Sequence, residues 1–251
     1  MTGPDHIAER IETAADALRA ATRVAVLTGA GVSADSGVPT FRGPGGLWRN
    51  FRPEDLATPE AFERDPKLVW EWYDWRRQKI ASAEPNAGHI ALAELEEIVP
   101  DLTLITQNVD GLHEAAGSKH VIELHGCIWR VRCPAEGTVA ENRQVPLSEI
   151  PPHCRCGSLV RPDVVWFGES VPGEAIAAAC RAAEEAEVML VVGTSALVYP
   201  AAALPLLTSQ RDGAVIEVNP EPTMLSELTH LGLRGKGAEI LPQLVAAVRR
   251  E

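Results

Sequence analysis

Four apolar residues, Val24-Ala25-Val26-Leu27, run directly into Thr28-Gly29-Ala30-Gly31-Val32-Ser33-Ala34. The short run has the character of a buried parallel strand. Gly29, Gly31 and Ala34 then follow the G-x-G-x-x-G/A spacing of a dinucleotide-binding turn. The first glycine permits a tight turn. The second lets backbone approach a pyrophosphate, and a small third residue lets the next helix pack on the strand. The N-terminus of that helix offers free N–H groups to phosphate. Small residues also fill αβ turns for packing alone, so the rest of the chain has to decide.

The same pattern recurs. Short apolar runs predict further strands at about 102–106, 121–124, 164–169, 188–192 and 214–218. Helical spacing predicts helices at about 5–21, 67–83, 86–98, 112–116, 173–186 and 238–250. The fold class is therefore α/β, a parallel sheet with helices on both faces. The strands end in Gln107-Asn108-Val109-Asp110, His125-Gly126, Gly193-Thr194-Ser195 and Asn219. Ligands of open α/β sheets gather at that edge. Turn chemistry favours Gly, Asn and Asp, but it does not call for Gln-Asn-x-Asp and a histidine after consecutive strands. One crevice lined by these ends accounts for them.

A conventional dinucleotide fold would place a second strand and a ribose-binding acid about 20 residues after the turn. Here that stretch reads Gly43-Pro44-Gly45-Gly46, with Trp48, Phe51, Pro53, Pro59 and Pro66 following. Glu54 has roughly the expected offset, but no strand precedes it. The segment is read as an insertion covering the cofactor. In the next helix, Val69, Trp72, Tyr73, Arg76 and Ile80 share one face. Arg76 interrupts that stripe. It either snorkels or stacks on a Trp, or forms with Tyr73 a partly buried pair that recognises an anion.

A chain of 251 residues with 45% hydrophobic content can form one large domain, or a domain plus a small module. Its formal net charge of -12 argues against a broad nucleic-acid footprint. No apolar run reaches membrane-spanning length, and residues 1–21 lack the uninterrupted apolar region of a signal peptide. A cytoplasmic protein with no nucleic-acid or membrane partner is expected. Its oligomeric state is left open and is compatible with a monomer. Five cysteines, an odd number, suggest metal or free thiols rather than disulfides.

Together, Gly29 to Arg42, Gln107-Asn108-Val109-Asp110, His125-Gly126, Val165-Trp166-Phe167-Gly168-Glu169 and Gly193-Thr194-Ser195 resemble the sirtuins, the NAD-dependent protein lysine deacylases. The motifs stand in family order and cover nearly the whole chain after about residue 20. The resemblance implies a large Rossmann-like domain (1–43, 84–126 and 161–251). It also implies a small domain made of a helical insertion (44–83) and a zinc-ribbon-like module (127–160). Acyl-lysine proteins or peptides would enter between the two, with the peptide lying beside Val165, Phe167, Gly168 and Glu169. The acyl oxygen would attack the nicotinamide ribose, releasing nicotinamide, and a base would then deprotonate a ribose hydroxyl. The products would be free lysine and O-acyl-ADP-ribose.

His125 matches the family's base. Asn108 and Asp110 match groups that hold the nicotinamide ribose and amide, with Gln107 and Val109 beside them. Gly29, Gly31 and Ser33 match the phosphate cradle; Ala30, Ala34, Phe41 and Arg42 belong to the same covering loop. Ser195, Asn219 and Gly237 match contacts to the adenosine half, with Gly193, Thr194 and Glu221 as further cofactor-binding positions. Tyr73-x-x-Arg76 resembles the subgroup that accepts succinyl or malonyl as well as acetyl, and Ala57 falls where that subgroup has a small residue. Arg can meet a carboxylate with two N–H donors.

The zinc module departs from the family pattern of two Cys-x-x-Cys pairs. Cys133, Cys154 and Cys156 remain. Either Glu136 or His153 completes a zinc site, or the metal is lost and packing holds the module. Cys127 and Cys180 read as buried thiols. Three rival readings remain: a hydride-transfer dehydrogenase, a protein ADP-ribosyltransferase and a non-catalytic NAD-binding module. The missing ribose acid weighs against the first, and the presence of His125, Asn108 and Asp110 against the last.

Overall fold

The structure, a computed structural model, describes residues 4–41, 46, 47 and 50–250. Arg42, Gly43 and Trp48 lie outside the described residues. In chain order the elements are α1 (Pro4–Ala20), β1 (Arg23–Thr28), α2 (Pro53–Leu56), α3 (Pro59–Arg64), α4 (Pro66–Ala81), α5 (Ala87–Ile98), β2 (Asp101–Thr106), α6 (Leu112–Ala115), β3 (Val121–Glu123), β4 (Gly126–Arg132), β5 (Val139–Glu141), β6 (Arg161–Val164), α7 (Gly173–Glu185), β7 (Val188–Val192), α8 (Leu204–Gln210), β8 (Ala214–Val218), β9 (Leu231–Leu233) and α9 (Gly237–Val248).

Six of the strands form one parallel sheet in the order β3-β2-β1-β7-β8-β9. Strand periodicity divides its side chains between two cores. Val24 and Val26 of β1 face the core built with α1, α5 and α9; Ala25 and Leu27 face the one built with α7 and α8. Because both faces are covered, the central strands read as unbroken apolar runs. The order of the strands gathers the ends of β1, β2, β7 and β8 at one edge. Among the described residues, no helix is long and apolar enough to cross a membrane.

A second unit combines α2, α3 and α4 with an antiparallel sheet, β5-β4-β6. Its core contains Leu56, Ala61, Val69, Trp70, Tyr73, Ile128, Trp129 and Trp166. Pro53, Pro59 and Pro66 each sit in a first helical turn, where a missing N–H costs nothing. Thr58 caps α3 and Asp65 caps α4 through their side-chain oxygens. The covering segment therefore holds two short helices that the density of proline concealed.

Three further sequence expectations change. The turn after β1 leads into a 3₁₀ helix, Ala30–Ser36, which ends at Gly37 with φ 82°, rather than into an α-helix. The strand expected over 164–169 lies earlier, as β6, and Val165 to Glu169 form an irregular loop. Alternating residues cannot distinguish an extended loop from a strand. The expected boundary between residues 160 and 161 falls before β6, yet β6 pairs with β4, so the small sheet runs on to Val164. α8 and β9 were not anticipated.

Candidate active site

A cavity of about 510 Å³ opens over the C-terminal edge of the large sheet, within the roughly 300–1,000 Å³ usual for ligand sites. At one end its wall is made by the turns after β1, β7 and β8. These turns touch backbone to backbone: Gly29 N–H donates to Val192 O at 3.0 Å and Gly31 N–H to Gly193 O at 2.8 Å. A Cβ on Gly31 would stand 2.7 Å from Gly193 O, and one on Gly29 would stand 2.8 Å from Thr194 Cβ. The two glycines are thus demanded first by the neighbouring strand's turn. Asn219 Nδ2 donates to Thr194 O at 2.9 Å, and Gln107 Nε2 donates to Thr194 Oγ1 at 3.0 Å, tying three strand ends together.

Beneath this edge lies a closed polar cluster. The Asn86 N–H donates to His89 Nδ1 at 3.3 Å as part of the α5 cap. That bond leaves the proton of a neutral imidazole on Nε2, 3.2 Å from Ser33 Oγ. Asn108 Nδ2 donates to Ser33 Oγ at 3.1 Å and lies 3.2 Å from Gly29 O. Ser33 in turn donates to Asp110 Oδ2 at 2.8 Å. Asp110 Oδ1 accepts the Leu112 N–H at 3.0 Å, and Asp110 O accepts from Trp129 Nε1 at 2.7 Å. Burial keeps the His89 imidazole below its ordinary pKa, against the pull of Asp110. His113, alongside it at 4.9 Å between rings, is pushed down to about 3 by burial and by His89.

His125 sits at the exit of β3 and lines the middle of the cavity. Gln107 O lies 3.0 Å from its Nδ1. A carbonyl can only accept, so the proton is on Nδ1 and Nε2 carries the free lone pair. Burial lowers its pKa, and the bond to Gln107 partly offsets this. Gly126, next in the chain, has φ 76° and passes so close to β6 that a Cβ would meet Asp163 O at 2.2 Å.

The other end of the cavity is built by the small unit. Ala57, Trp72, Tyr73 and Arg76 line it together with Phe41. Arg76 is only 7% exposed. Its guanidinium carbon lies 4.9 Å from the Phe41 ring centroid, 4.9 Å from that of Trp72 and 5.6 Å from that of Tyr73. No carboxylate forms an ion pair with it among the described residues. Burial depresses its pKa, countered by charge interactions with Tyr73 and Asp110 and by a side-chain hydrogen bond with Tyr73. It therefore stacks on aromatic rings, as the first reading of the helix proposed, and is buried beside Tyr73, as the second did. Tyr73 Oη accepts from Trp166 Nε1 at 2.9 Å. Phe167 N–H donates to Ala57 O at 2.9 Å, and Val165 N–H donates to His125 O at the same distance.

The structure brings most of the expected residues to this one cavity. Gly29, Ala30, Gly31, Phe41, Gln107, Asn108, Val109 and His125 line it, as do Gly193, Thr194, Ser195, Asn219 and Glu221; Val165, Phe167, Gly168 and Glu169 line it as well. Ser33 and Asp110 lie in the layer beneath. Ala34 is exposed on the 3₁₀ helix. Gly237 packs against Val192 and Val32 instead. Arg42 is outside the described residues. Sequence reasoning missed His89 and Trp129, and named Trp166 only within a motif without giving it a part in the site. The Asn86-x-x-His89 spacing at a helix start was the available signal for the first.

Cys133, Glu136, Cys154 and Cys156 bring their ligand atoms within 4.8 Å of one another. Cys133 Sγ and Cys156 Sγ are 3.6 Å apart, and Cys154 Sγ is 3.4 Å from a Glu136 oxygen. Tetrahedral zinc with Zn–S near 2.3 Å requires edges of about 3.8 Å between sulfurs and slightly less to oxygen. The donor set fits zinc, with Glu136 as fourth ligand. His153 is drawn away: it bridges to Leu159, and its Nδ1 lies 3.0 Å from Glu149.

The Sir2 family model matches residues 29–200. An NAD-dependent protein deacylase of Aquifex aeolicus is 55% identical over 229 residues, covering 91% of this chain and 96% of that protein. NAD-dependent protein deacylase 2 of Pyrobaculum aerophilum is 53% identical over 237 residues, covering 94% and 95%. Among solved structures, a Sir2 homologue in complex with NAD superposes with a TM-score of 0.90 at 50% identity, covering 95% of this chain and 94% of that one. A Sir2 variant with a deacetylated p53 peptide and 3′-O-acetyl ADP ribose gives 0.88 at 33% identity, covering 94% and 97%.

Proposed function

The chain belongs to the Sir2 family, an NAD-dependent protein deacylase, and we propose that it removes succinyl and malonyl as well as acetyl groups from protein lysines. The observation that carries the acidic acyl groups is Arg76. A buried guanidinium without a carboxylate partner among the described residues is costly, and the cavity it lines is where a partner can be supplied. A terminal acyl carboxylate would meet it with two N–H donors, and the Tyr73 hydroxyl would add a third bond. Ala57 leaves room for the longer chain.

The residues fit NAD: the glycine turns admit backbone close to a phosphate, and amide side chains stand above them. When bound, NAD supplies the ribose carbon that takes the acyl oxygen as nicotinamide leaves, and its ADP-ribose carries the acyl group away. Asn108 is held by Gly29 O and Ser33, with its carbonyl oxygen unbonded among the described residues, and so would orient the nicotinamide ribose and amide. His125 Nε2 accepts the proton from a ribose hydroxyl, and its tautomer is already set by Gln107 O. Asp110 accepts from Ser33 on one carboxylate oxygen and from the Leu112 N–H on the other, which fixes the carboxylate beneath Asn108 with lone pairs to spare for the nicotinamide contact expected of it.

The test is a panel of acetyl-, malonyl- and succinyl-lysine peptides with and without NAD, followed by nicotinamide release. All three should turn over only with NAD. Turnover of acetyl peptide alone would overturn the acidic-acyl reading.

A further inference from the structure

Trp166 sits in the loop that rims the cavity, yet its indole turns inward and is 3% exposed. It donates to Tyr73 Oη at 2.9 Å. An indole N–H is a donor only, whereas a phenol has one proton to give and two lone pairs to fill. The phenolic proton prefers the ring plane and has two places there. A donor on one side of the oxygen sends the proton to the other. Among the described residues no acceptor takes the Tyr73 proton.

The indole is itself held rigidly. The Arg161 guanidinium carbon lies 3.5 Å from the Trp166 ring centroid and Phe62 stands 5.3 Å away on ring centroids. Arg161 grips Glu169 through both carboxylate oxygens, at 2.5 and 2.8 Å, and Glu169 accepts the Trp166 backbone N–H at 2.8 Å. The same loop bonds Ala57 O through Phe167. The peptide rim and the acyl end of the cavity are thus one connected assembly.

We propose that Trp166 is a positioning residue for acyl selectivity: its indole N–H fixes the Tyr73 hydroxyl as a donor toward an acidic acyl group. This rests on the acidic-acyl reading above. Without that N–H, the phenolic proton is no longer held on one side and the hydroxyl loses the polarisation that a donor onto its oxygen gives, so a succinyl carboxylate meets a weaker and less ordered donor. The acetyl group has no terminal carboxylate and does not sense the difference.

The experiment compares Trp166→Phe with protein carrying benzothienylalanine at position 166, which keeps the indole's shape and removes only its N–H. Kinetics are read on succinyl- and acetyl-lysine peptides of one sequence. KM for the succinyl peptide should rise about three- to tenfold, with kcat and the acetyl KM within about twofold. In a Tyr73→Phe background neither change should have a further selective effect, because the hydroxyl they act through is gone. Equal losses on both peptides, or full additivity with Tyr73→Phe, would overturn the proposal. If Tyr73→Phe and Arg76→Met leave the succinyl-to-acetyl ratio unchanged, the acidic-acyl reading falls and this inference with it. If they shift the ratio while both Trp166 substitutions leave it alone, only this inference falls.

Discussion

Around Ser33 the polar groups answer one another. His89 and Asn108 donate to its oxygen, it donates to Asp110, and Asp110 is held by backbone. At the acyl end, Arg76 is as deeply set, stacked among Phe41, Trp72 and Tyr73, with no carboxylate bound to it among the described residues. The cluster around Ser33 is hydrogen-bonded within itself before a ligand arrives, and on the function proposed such a floor gives geometry. The acyl end has a charge awaiting its counterpart, which gives choice. The proposed function thus puts preorganisation and selectivity on different parts of the fold, the large sheet and the inserted helices. Perturbations of the two ends should fail in different ways.

His125 stands between the ends and belongs to neither. His125→Ala should lower kcat/KM by about 10²–10⁴ for acetyl and succinyl peptides alike, measured as O-acyl-ADP-ribose formed. A loss confined to one acyl group would place the base within the acyl end and break the division. The next largest effect concerns the floor and is read in stability. His113 is held near pKa 3 when folded, against about 6.5 unfolded. The folded state stays neutral while the unfolded chain takes a proton. Its contribution is full above pH 6.5 and is lost progressively as pH falls toward 3, amounting to about 3 kcal/mol at pH 4. His113→Gln should make urea stability fall less steeply between pH 7 and pH 4. An unchanged slope would show that other groups set the acid sensitivity of the floor.

Arg76→Met sharpens the contrast from the other side. It should cut kcat/KM for the succinyl peptide about 10- to 100-fold, the worth of a charged hydrogen-bonded contact, and move acetyl by less than about threefold. Ser33→Ala should do the reverse in kind, lowering both substrates together. Equal losses from Arg76→Met would mean that the acyl end is structural.

Much of the large sheet was legible because its central strands are buried on both faces, so β1, β2, β7 and β8 read as apolar runs of the right length. β9 escaped because three residues around Gly232 carry no period. The cavity was legible through the polar residues at strand ends, whose types exceed what turns require. The role of Gly29 and Gly31 was read toward a ligand, while the closest demand comes from Gly193 and Thr194, a contact no local pattern encodes. His89 could be seen as a helix cap, but not its reach to Ser33 across 56 residues. The choice between Glu136 and His153 depended on how a hairpin turns its side chains. Trp166 looked like one more apolar residue of a strand.

The smallest effect separates the two ends most cleanly, because it uses pH without mutation. His125 must be neutral to accept a proton, and burial lowers its pKa. With an ordinary value of 6.5, about a quarter of the base would be active at pH 6. The acid limb of kcat/KM for the acetyl peptide should lie below 6.5, leaving more than that quarter. The succinyl peptide brings a second titration, a carboxyl group with an ordinary pKa near 4.3, which kcat/KM reports for the free peptide. Since Arg76 stays charged throughout, the succinyl profile should track the acetyl profile through the His125 limb. It should depart downward only nearer pH 4, where the acyl group itself becomes neutral. Arg76→Met should erase that late departure and leave the His125 limb in place. If the profiles diverge already near pH 6.5, the two ends are electrostatically coupled through His125, and the separation drawn between floor and acyl end does not hold.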